Sequence, residues 1–433
     1  MPRFFLLTLG CKVNQYESRA LAEAWERLGA LEAAHPSEAD CLFINSCAVT
    51  SKAVADVRRA VRKLHAEAPH GRIVLIGCAA ELLAGRDLPG SPLFAGRAAK
   101  ADPAALLALA MGNEVGPQPA GAENIFPPLS ISGYHRSRAV LKVQDGCSHH
   151  CAYCIVPSAR GPSRSRPFAD TLAEARRLAE AGFPEIGING INLRQYGRDL
   201  DPSQDFWDLL LALDTALAPE WAGRLRLRLS SLEPGQLGDK ALETLDRCRL
   251  VAPHLHLSLQ NGSPSVLARM GRGHYDPNQA VEFLRAASRI HPVWGLGADL
   301  LTGFPGETRA EHAENLELCR ALPLTYAHVF PFSSRPGTRA ASMPFPVADD
   351  EKKARAAELR ALAADKKAQF LALQLTLPEV VLVPEAGGAG RKGVNEYYTD
   401  CRVVGPAPAN KLTPAAPVGL DGDVLLVKAI GPV

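Results

Sequence analysis

Short apolar runs alternate with amphipathic stretches along most of the chain, and this pattern predicts strands and helices in alternation. In the first hundred residues three runs are of the buried-strand type, and residues 18–28 and 51–66 between them repeat apolar positions at helical spacing. Strand–helix–strand alternation predicts a parallel sheet. A cysteine directly follows each run: Cys11 follows residues 4–10, Cys47 follows residues 41–46, and Cys78 follows residues 72–77.

The three strand-end cysteines are expected to converge, because the carboxyl ends of parallel strands lie along one edge of the sheet. One cysteine in such a place is usually a small buried hydrophobe. Three in equivalent positions, at Cys11, Cys47 and Cys78, favour a metal cluster instead. Cys41 begins its strand rather than ending it, and we predict that it belongs to the core.

A second alternating region predicts a complete or partial barrel of about six βα units. Several strands end in polar, glycine-rich loops, where ligands of such barrels bind. The predicted strands are 139–143, 185–189, 225–230, 254–260, 295–302 and 327–332, and the predicted helices are 170–181, 206–217, 240–248, 278–290 and 308–322. The candidate cofactor contacts at the strand ends are Asn192, Ser258, Gly303 and Glu307.

Three cysteines at C-x3-C-x2-C spacing follow the first strand of this region, at Cys147, Cys151 and Cys154. By chance roughly 0.005 such patterns are expected at this cysteine content. Three ligands suit a 4Fe-4S cluster that keeps one iron open for a small molecule. Structural zinc is the alternative, with His149 or His150 as the fourth ligand. Disulfides are disfavoured, because no secretion signal or spanning apolar run is present.

Composition narrows the class of protein further. The 433 residues contain 47% hydrophobic and 22% charged residues and carry a net charge of +2, as in ordinary globular proteins of two to three domains. Nucleic acid would therefore have to be bound by local basic patches. One such patch is residues 160–166 with three arginines, which is either a solvated loop or a binder of phosphate or carboxylate. We expect a cytoplasmic protein without membrane segments.

The last part of the chain predicts a small antiparallel β-barrel of the oligonucleotide-binding kind. Short strands are expected at 376–384, 396–404 and 423–430, separated by turns rich in glycine and proline. A purely structural barrel is the alternative. Cations and aromatic residues are mixed there, as in nucleic-acid modules: Arg391, Lys392, Tyr397, Tyr398 and Arg402.

Taken together, these motifs resemble a known family. The second triad, with Tyr153 before its last cysteine, resembles the signature of the radical S-adenosylmethionine (SAM) superfamily. The segments around the first three cysteines, 9–14, 45–50 and 76–78, resemble the N-terminal domain of methylthiotransferases, and the C-terminal barrel is similar to the family's RNA-binding TRAM domain.

Within that family the chain is most similar to the branch that modifies threonylcarbamoyladenosine in tRNA, at segments 10–18, 144–147 and 160–166. Two positions depart from the family pattern, Ser46 where threonine is usual and Asn261 where serine is common. Both changes are small and leave the six cysteines intact.

The resemblance implies four parts: an N-terminal methylthiotransferase domain (1–112), a linker (113–137), a radical SAM domain (138–366) and a TRAM domain (368–433). It implies two 4Fe-4S clusters, with the six cysteines as catalytic and metal-binding residues. SAM would bind the open iron of the second triad, near Tyr153, and yield a 5′-deoxyadenosyl radical. The first triad's cluster would present a methylated sulfur to the adenine ring.

The implied product is a 2-methylthio group on threonylcarbamoyladenosine at position 37, in the anticodon stem-loop of tRNA. An electron donor and a sulfur donor are also implied, without being named by the sequence. Two alternatives keep the radical chemistry and change the substrate to isopentenyladenosine in tRNA or to a ribosomal-protein aspartate. A third alternative is a zinc-dependent RNA-binding protein without catalysis.

Overall fold

A five-stranded parallel sheet begins the chain, in a computed structural model that describes residues 1–113, 125–134, 136–386 and 391–430. Its strands are β1 (Arg3–Thr8), β2 (Leu31–Glu32), β3 (Cys41–Ser46), β4 (Arg72–Gly77) and β5 (Leu93–Phe94), and its helices are α1 (Lys12–Arg27), α2 (Ser51–Glu67), α3 (Cys78–Leu83) and α4 (Pro103–Ala110). The strand order is β2-β1-β3-β4-β5. The predicted parallel sheet is confirmed, and the three strands that precede cysteines are direct neighbours.

The core of this sheet explains the predicted pattern. Every residue of β3 is buried, as expected for a central parallel strand covered on both faces. Helix α1 buries Trp25, whose ring stacks on Phe43 at a centroid distance of 4.2 Å and meets Phe4 edge-on at 5.0 Å. The apolar side chains of α1 therefore face the sheet, and the first turn of α1 lies at the edge of the sheet that carries the three cysteines.

The central region is a partial barrel whose wall has seven parallel strands, of which two short ones follow each other almost directly in sequence. The strands here are β6 (Arg138–Lys142), β7 (Gln144–Asp145), β8 (Arg164–Ser165), β9 (Glu185–Asn189), β10 (Arg226–Leu229), β11 (Ser231–Leu232), β12 (His254–Gln260), β13 (Gly295–Thr302) and β14 (Tyr326–Pro331). The helices are α5 (Val156–Arg160), α6 (Phe168–Glu180), α7 (Phe206–Trp221), α8 (Asp239–Arg247), α9 (Pro264–Arg269), α10 (Gln279–Ala287) and α11 (Arg309–Ala321).

Two parallel sheets make up the barrel wall, β10-β9-β6 and β11-β12-β13-β14, while β7 and β8 form a separate antiparallel pair. Ser230 alone separates β10 from β11, so the wall is continuous in sequence at that point. The outer face is apolar and covered by helices, as at Ile186 and Leu255. The inner face carries polar residues, as at Glu185 and Arg228.

A 27-residue helix, α12 (Asp349–Leu375), leads into the C-terminal barrel and was not predicted from the sequence. It runs through the predicted boundary at 366–368, so the division into domains stays a prediction. The signal for this helix was present in three acidic residues in its first turn, Asp349, Asp350 and Glu351, followed by a long stretch rich in alanine, leucine and lysine.

The C-terminal barrel is closed, which confirms the predicted barrel, although its last and third strands pair in parallel while the other pairs are antiparallel as predicted. Its strands are β15 (Val380–Pro384), β16 (Lys392–Asn395), β17 (Asp400–Val403), β18 (Thr413–Asp421) and β19 (Val424–Ala429), in the order β15-β16-β17-β19-β18. The prediction of one strand over 396–404 was wrong, because the chain turns after Asn395 before β17 begins. The side chain of Asn395 accepts from the backbone N–H groups of Tyr397 and Thr399 and so fixes that turn.

The described part of the predicted linker packs against two helices rather than lying free. Tyr16 Oη donates to the carbonyl of Leu129 at 2.8 Å, and Glu174 accepts from the N–H of Ile131 at 3.3 Å. Pro117 and Pro119, on which that prediction partly rested, lie outside the described residues. Within the described ranges, no helix combines the length and the apolar character needed to cross a membrane.

Candidate cluster sites and the charged network between them

The first cysteine triad lies at the carboxyl edge of the N-terminal sheet. Cys11 follows β1, Cys47 follows β3 and Cys78 begins α3 directly after β4. Burial raises the pKa of the Cys47 thiol, and the nearby sulfurs of Cys78 and Cys11 raise it further. The structure thus brings the three cysteines together, and their role as ligands stays a prediction.

Two buried asparagines, which the sequence did not single out, hold these loops in place. Asn14 donates to the carbonyl of Ser46 at 3.0 Å, and its carbonyl oxygen accepts from the Cys11 thiol at 3.3 Å. Asn45 donates to the backbone carbonyl of Asn14 at 2.9 Å. Both side chains are fully buried, so the first turn of α1 is locked to the end of β3.

Arg160 links the two cysteine triads. Its Nε lies 3.2 Å from the Sγ of Cys78, and its Nη1 donates to Glu17 and to Asp145 at 2.8 Å each. Asp145 stands two residues before Cys147, the first cysteine of the second triad. A single guanidinium therefore spans from the N-terminal sheet to the loop of the barrel.

The surroundings of Arg160 form a buried charged network with more cations than carboxylates. Lys142 binds Glu17 at 2.7 Å and Asp145 at 2.8 Å. Although burial acts to raise the pKa of Glu17, Arg160 and the two lysines hold it well below its ordinary value. A positive surplus next to thiols favours anionic sulfur, as in a thiolate-bound cluster. The network consists of Glu17, Lys100, Lys142, Asp145, Arg160 and Arg164.

The basic patch at residues 160–166 is therefore not a solvated loop, which corrects that interpretation; of the two partners considered for a binding patch, phosphate or carboxylate, the structure shows carboxylate. Its three arginines are at most 5% exposed. They bind carboxylates of the protein itself, as in the contact of Arg166 with Glu174 at 2.5 Å. Glu174 follows Arg166 by eight residues, whereas Glu17 is 143 residues from Arg160, and the pattern of local residues gave no signal for that second pairing.

The loop of the second triad is fixed by backbone hydrogen bonds at both ends. The N–H of Cys147 donates to the carbonyl of Gly161 at 3.0 Å, and that of Ala152 donates to the carbonyl of Met270 at 2.8 Å. Gly146 has a φ of +69°, and a Cβ there would lie 1.9 Å from the carbonyl oxygen of Pro162. Glycine is thus required where the chain turns into the loop.

Gln144 ties this loop to the next strand end. Its Nε2 donates to the carbonyls of Asp145 and Gly146 at 2.9 Å each. Its Oε1 accepts from the N–H groups of Ile191 and Asn192 at 2.8 Å each. One buried amide therefore holds the cysteine loop beside the loop that follows β9.

A buried arginine that the sequence did not single out lies beside the second triad. Arg272 Nη1 is 3.9 Å from the Sγ of Cys151, and its Nη2 donates to the carbonyl of Ser258 at 3.0 Å. Glu233 forms an ion pair with Arg272 at 3.2 Å and contacts His274 at 2.7 Å. No spacing motif surrounds Arg272, and only the fold brings it to the cysteine loop.

The arrangement of ligand atoms disfavours the zinc alternative. A single tetrahedral zinc with Zn–S bonds of about 2.3 Å would hold its sulfur ligands about 3.8 Å apart. Among the described residues, the three ligand atoms that come within 4.8 Å of one another belong to His149, Glu233 and His274, and to neither cysteine triad. The charge of Glu233 is already balanced by Arg272, so this group is explained without a metal.

Comparison with known proteins places the chain among sulfur-transferring enzymes. Residues 3–88 match "Uncharacterized protein family UPF0004", and residues 141–319 match "Radical SAM superfamily". The threonylcarbamoyladenosine tRNA methylthiotransferase MtaB of Bacillus subtilis is 33% identical over 91% of this chain and 87% of its own length. The chain belongs to the radical SAM methylthiotransferase family.

Other relatives carry two kinds of name. The MtaB of Thermotoga maritima is 32% identical over 92% of this chain and 90% of the relative. The tRNA-2-methylthio-N(6)-dimethylallyladenosine synthase of Chlorobium limicola is 34% identical over 88% of both. A solved radical SAM methyltransferase, TsrM from Kitasatospora setae, has a TM-score of 0.58 at 15% identity and covers 79% of this chain and 77% of that chain, which supports the fold.

As a radical SAM protein, this methylthiotransferase uses SAM and a 4Fe-4S cluster, and the residues present fit such a group. The cysteine loop is backed by a buried apolar cluster that includes Ala152, Met270 and Phe304. Burial raises the pKa of Cys154 to about 12, so this thiol is not an anion unless a metal binds it. The loop is thus preformed, backed by apolar side chains and supplied with sulfur donors.

The predicted SAM contacts of this methylthiotransferase fall into two groups. Asn192 and Tyr153 lie at the cysteine loop, where Asn192 Nδ2 is 3.8 Å from the Sγ of Cys147 and Tyr153 packs on the loop's apolar cluster. The backbone carbonyl of Ser258 is bound by Arg272, and its Oγ donates to the carbonyl of Leu232 at 3.2 Å. Asn192, Tyr153 and Ser258 therefore all adjoin the second cysteine triad.

Gly303 and Glu307 belong to a turn that the protein itself stabilises. The carboxylate of Glu307 accepts from the N–H of Gly303 at 3.0 Å, from Thr302 at 3.1 Å and from Arg355 of α12 at 2.8 Å. The side chain is fully buried. Direct contact of these residues with SAM stays a prediction, and the observed role of Glu307 is to hold the loop after β13.

Proposed function

We propose that this methylthiotransferase adds a 2-methylthio group to N6-threonylcarbamoyladenosine at position 37 of tRNA. The observation that carries the proposal is the pairing of two cysteine triads through Arg160, which contacts Cys78 and the Asp145 that precedes Cys147. Relatives named for the threonylcarbamoyladenosine reaction are 32% and 33% identical over about nine tenths of the chain. We infer that each triad holds one 4Fe-4S cluster.

When bound, the two clusters and SAM supply a carbon-centred radical and the methylthio sulfur. The residues of the chain position and shield these groups. Gln144 and the backbone of Gly161 fix the second triad's loop, and the two buried asparagines, Asn14 and Asn45, fix the first. Arg160 places a positive charge next to a sulfur ligand, and the apolar cluster behind the second triad excludes water.

The partner is the anticodon stem-loop of a tRNA, held where the three parts of the chain meet. The C-terminal barrel contributes cationic and aromatic residues, although not all on one surface. Lys392 is exposed, whereas Tyr398 points towards the barrel wall and lies 5.1 Å from the guanidinium of Arg228. The C-terminal barrel therefore offers some of these residues to solvent and others to the central barrel.

Nucleoside mass spectrometry of tRNA from a deletion strain tests the substrate. We expect methylthio-threonylcarbamoyladenosine to disappear while unmethylthiolated threonylcarbamoyladenosine accumulates. Expression of the wild-type chain restores the product, and expression of Cys147→Ala does not. Unchanged methylthio-threonylcarbamoyladenosine together with loss of methylthio-dimethylallyladenosine would instead assign the substrate named for the Chlorobium relative.

Iron analysis of anaerobically reconstituted protein tests the two-cluster proposal. Wild type should hold about eight irons per chain, and Cys47→Ala or Cys147→Ala about four each. Cys47→Ala should retain reductive cleavage of SAM, which Cys147→Ala should lose. The control is Cys41→Ala, which removes a fully buried cysteine at the start of β3 and should keep about eight irons. Full methylthiolation by a Cys47→Ala protein with one cluster would refute the assignment.

A further inference from the structure

A cavity of ≈ 770 Å³ lies where the three parts of the chain meet, outside both cysteine loops. The start of α1 contributes Lys12, the inner face of the barrel contributes Arg138 and Ser230, and the C-terminal barrel contributes Tyr398. Lys12 directly follows Cys11, and Ser230 directly follows β10 at the carboxyl end of that strand. The cavity therefore adjoins the first triad and runs along the inner face of the barrel, from the starts of β6 and β9 to the carboxyl end of β10.

The walls of this cavity hold more positive than negative charge. Glu185 is bound by Arg226 at 2.7 Å and by Arg228 at 2.8 Å, and Arg138 lies 4.0 Å from the same carboxylate. One carboxylate thus faces three guanidinium groups. Glu385 is the other acidic residue along the described walls.

Two further cations increase this surplus. Within the described ranges, neither Lys12 nor Arg136 has a carboxylate partner among the ion pairs. Both are exposed to solvent, and both line the cavity. An anionic group of a ligand would find Lys12 and Arg136 there without displacing an existing ion pair, and it would meet Arg138, which is 4.0 Å from a carboxylate that two other arginines already bind.

Tyr398 contacts two of the cations at the cavity wall, Lys12 and Arg138. Its ring lies 5.3 Å from Lys12 Nζ and 5.9 Å from the guanidinium carbon of Arg138, and its hydroxyl accepts from Lys12 at 3.5 Å. Although burial acts to raise the pKa of Tyr398, the charges of Lys12 and Arg138 lower it below its ordinary value. Its backbone has a φ of +67°, so the surrounding structure holds this residue in an unfavourable conformation.

We propose that this cavity receives the N6-threonylcarbamoyl group of the target adenosine, with Arg138 as the main contact of its carboxylate and Lys12 and Arg136 beside it. The inference rests on the proposed function and adds the residues that select the substrate. A threonylcarbamoyl group carries a carboxylate and a hydroxyl, which match cationic donors. A dimethylallyl group is apolar and would desolvate these charges without replacing their hydrogen bonds.

Binding of synthetic anticodon stem-loop RNA to the full, anaerobically reconstituted chain tests the proposal. Three RNAs are compared, which carry threonylcarbamoyladenosine, its neutral carboxamide, or dimethylallyladenosine. Wild type should bind the carboxylate RNA about tenfold or more tightly than the carboxamide RNA, because a hydrogen bond to a charged group is lost in the amide. The preference should weaken at higher salt.

The variants separate this contact from general attraction to RNA. Arg138→Gln should reduce the preference to about twofold or less, and Arg138→Lys should retain part of it. Arg136→Gln, at an exposed position, should partly reduce the preference. The control Arg289→Gln removes one exposed charge outside the cavity. Any loss of affinity that it causes should be equal for all three RNAs.

Two results would overturn the inference: equal affinity of wild type for the carboxylate and carboxamide RNAs, or an unchanged preference in both Arg138→Gln and Arg136→Gln. Product formation by wild type on the carboxylate RNA reports separately on the proposed function. If wild type forms product on the carboxylate RNA but does not bind it in preference to the carboxamide RNA, the inference is rejected and the proposed function is retained. Product on the dimethylallyl RNA only would reject both.

Discussion

Arg160 shows how one residue ties the chemistry of two distant segments together. Its guanidinium contacts Cys78 of the first triad and the carboxylates of Glu17 and Asp145, and it is 5% exposed. Lysine in its place would keep the charge and lose the planar fork that reaches three partners at once. Arg160 therefore both positions the cysteine loops and sets the charge beside a sulfur atom.

Replacing Arg160 should change the reduction potential of the cluster proposed for the first triad. Arg160→Gln removes a positive charge and an N–H···S contact, and both losses disfavour the reduced, more negative cluster. We expect a more negative potential in an anaerobic redox titration followed by electron paramagnetic resonance. Arg160→Lys should give a smaller shift, since its charge stays. Equal potentials in wild type and Arg160→Gln would show that this arginine only holds the fold.

At the scale of residues, the six cysteines were predictable because their spacing and their place after strands are local features. Their partners were not predictable. Glu17 and Arg160 are 143 residues apart in the sequence, and Arg272 reaches Cys151 from 121 residues away. A side chain that acts through such contacts carries no local signature, so only the assembled fold identifies it.

At the scale of elements, the turn from β4 into α3 sets the position of Cys78. Gly77 has a φ of +87°, and a Cβ at this residue would lie 2.5 Å from the carbonyl oxygen of Ser46. Both the backbone conformation and the closeness of β3 therefore require glycine. A shift of this turn would move Cys78 away from Cys47 and Arg160.

Gly77→Ala should destabilise the protein by at least about 2 kcal/mol, from the left-handed conformation and the clash together. We expect a lower temperature of thermal unfolding and a fall from about eight to about four irons per chain after reconstitution. Gly85→Ala is the matched control, because Gly85 has a φ of +74° with no atom within 4 Å of an added Cβ. Iron loss in both variants alike would mean that the clash is unimportant.

Strands and helices with a clear repeat of apolar residues were predicted well, and those without such a repeat were not. The ranges 185–189, 254–260 and 295–302 match β9, β12 and β13 residue for residue. Helix α12 was missed because it has only a narrow buried stripe. It holds Glu307 near the site through Arg355, and its Gln374 contacts Thr399 and Asn395 of the C-terminal barrel. The turn before β17 was missed because its cause is the Asn395 side chain.

At the scale of the whole molecule, a buried ion pair joins the central barrel to the C-terminal barrel. Arg226 donates to the carbonyl of Val381, and Arg228 donates to the carbonyl of Asn395, while Glu185 binds both arginines. Glu185 therefore aligns two guanidinium groups whose remaining donors reach the neighbouring barrel. The same carboxylate lies at the wall of the cavity to which we assign the threonylcarbamoyl group.

Glu185→Gln should destabilise the protein at pH 7 by about 3–5 kcal/mol, because two buried arginines lose their counter-charge. Although burial acts to raise the pKa of Glu185, Arg228 and Arg226 lower it far below its ordinary value. Since the folded pKa is depressed, the stabilisation is complete above the unfolded value of about 4.3 and is lost as the pH falls towards the folded value.

The difference in unfolding free energy between wild type and Glu185→Gln should therefore stay constant from pH 8 to pH 5 and shrink below about pH 4, by at most about 1.4 kcal/mol per pH unit. Denaturant titrations of both proteins at each pH measure it, and taking the difference cancels the titration of all other shared groups. The exposed Glu282→Gln is the control and should show little difference at any pH. A difference that grows as the pH falls would show that Glu185 is not held ionised by the two arginines.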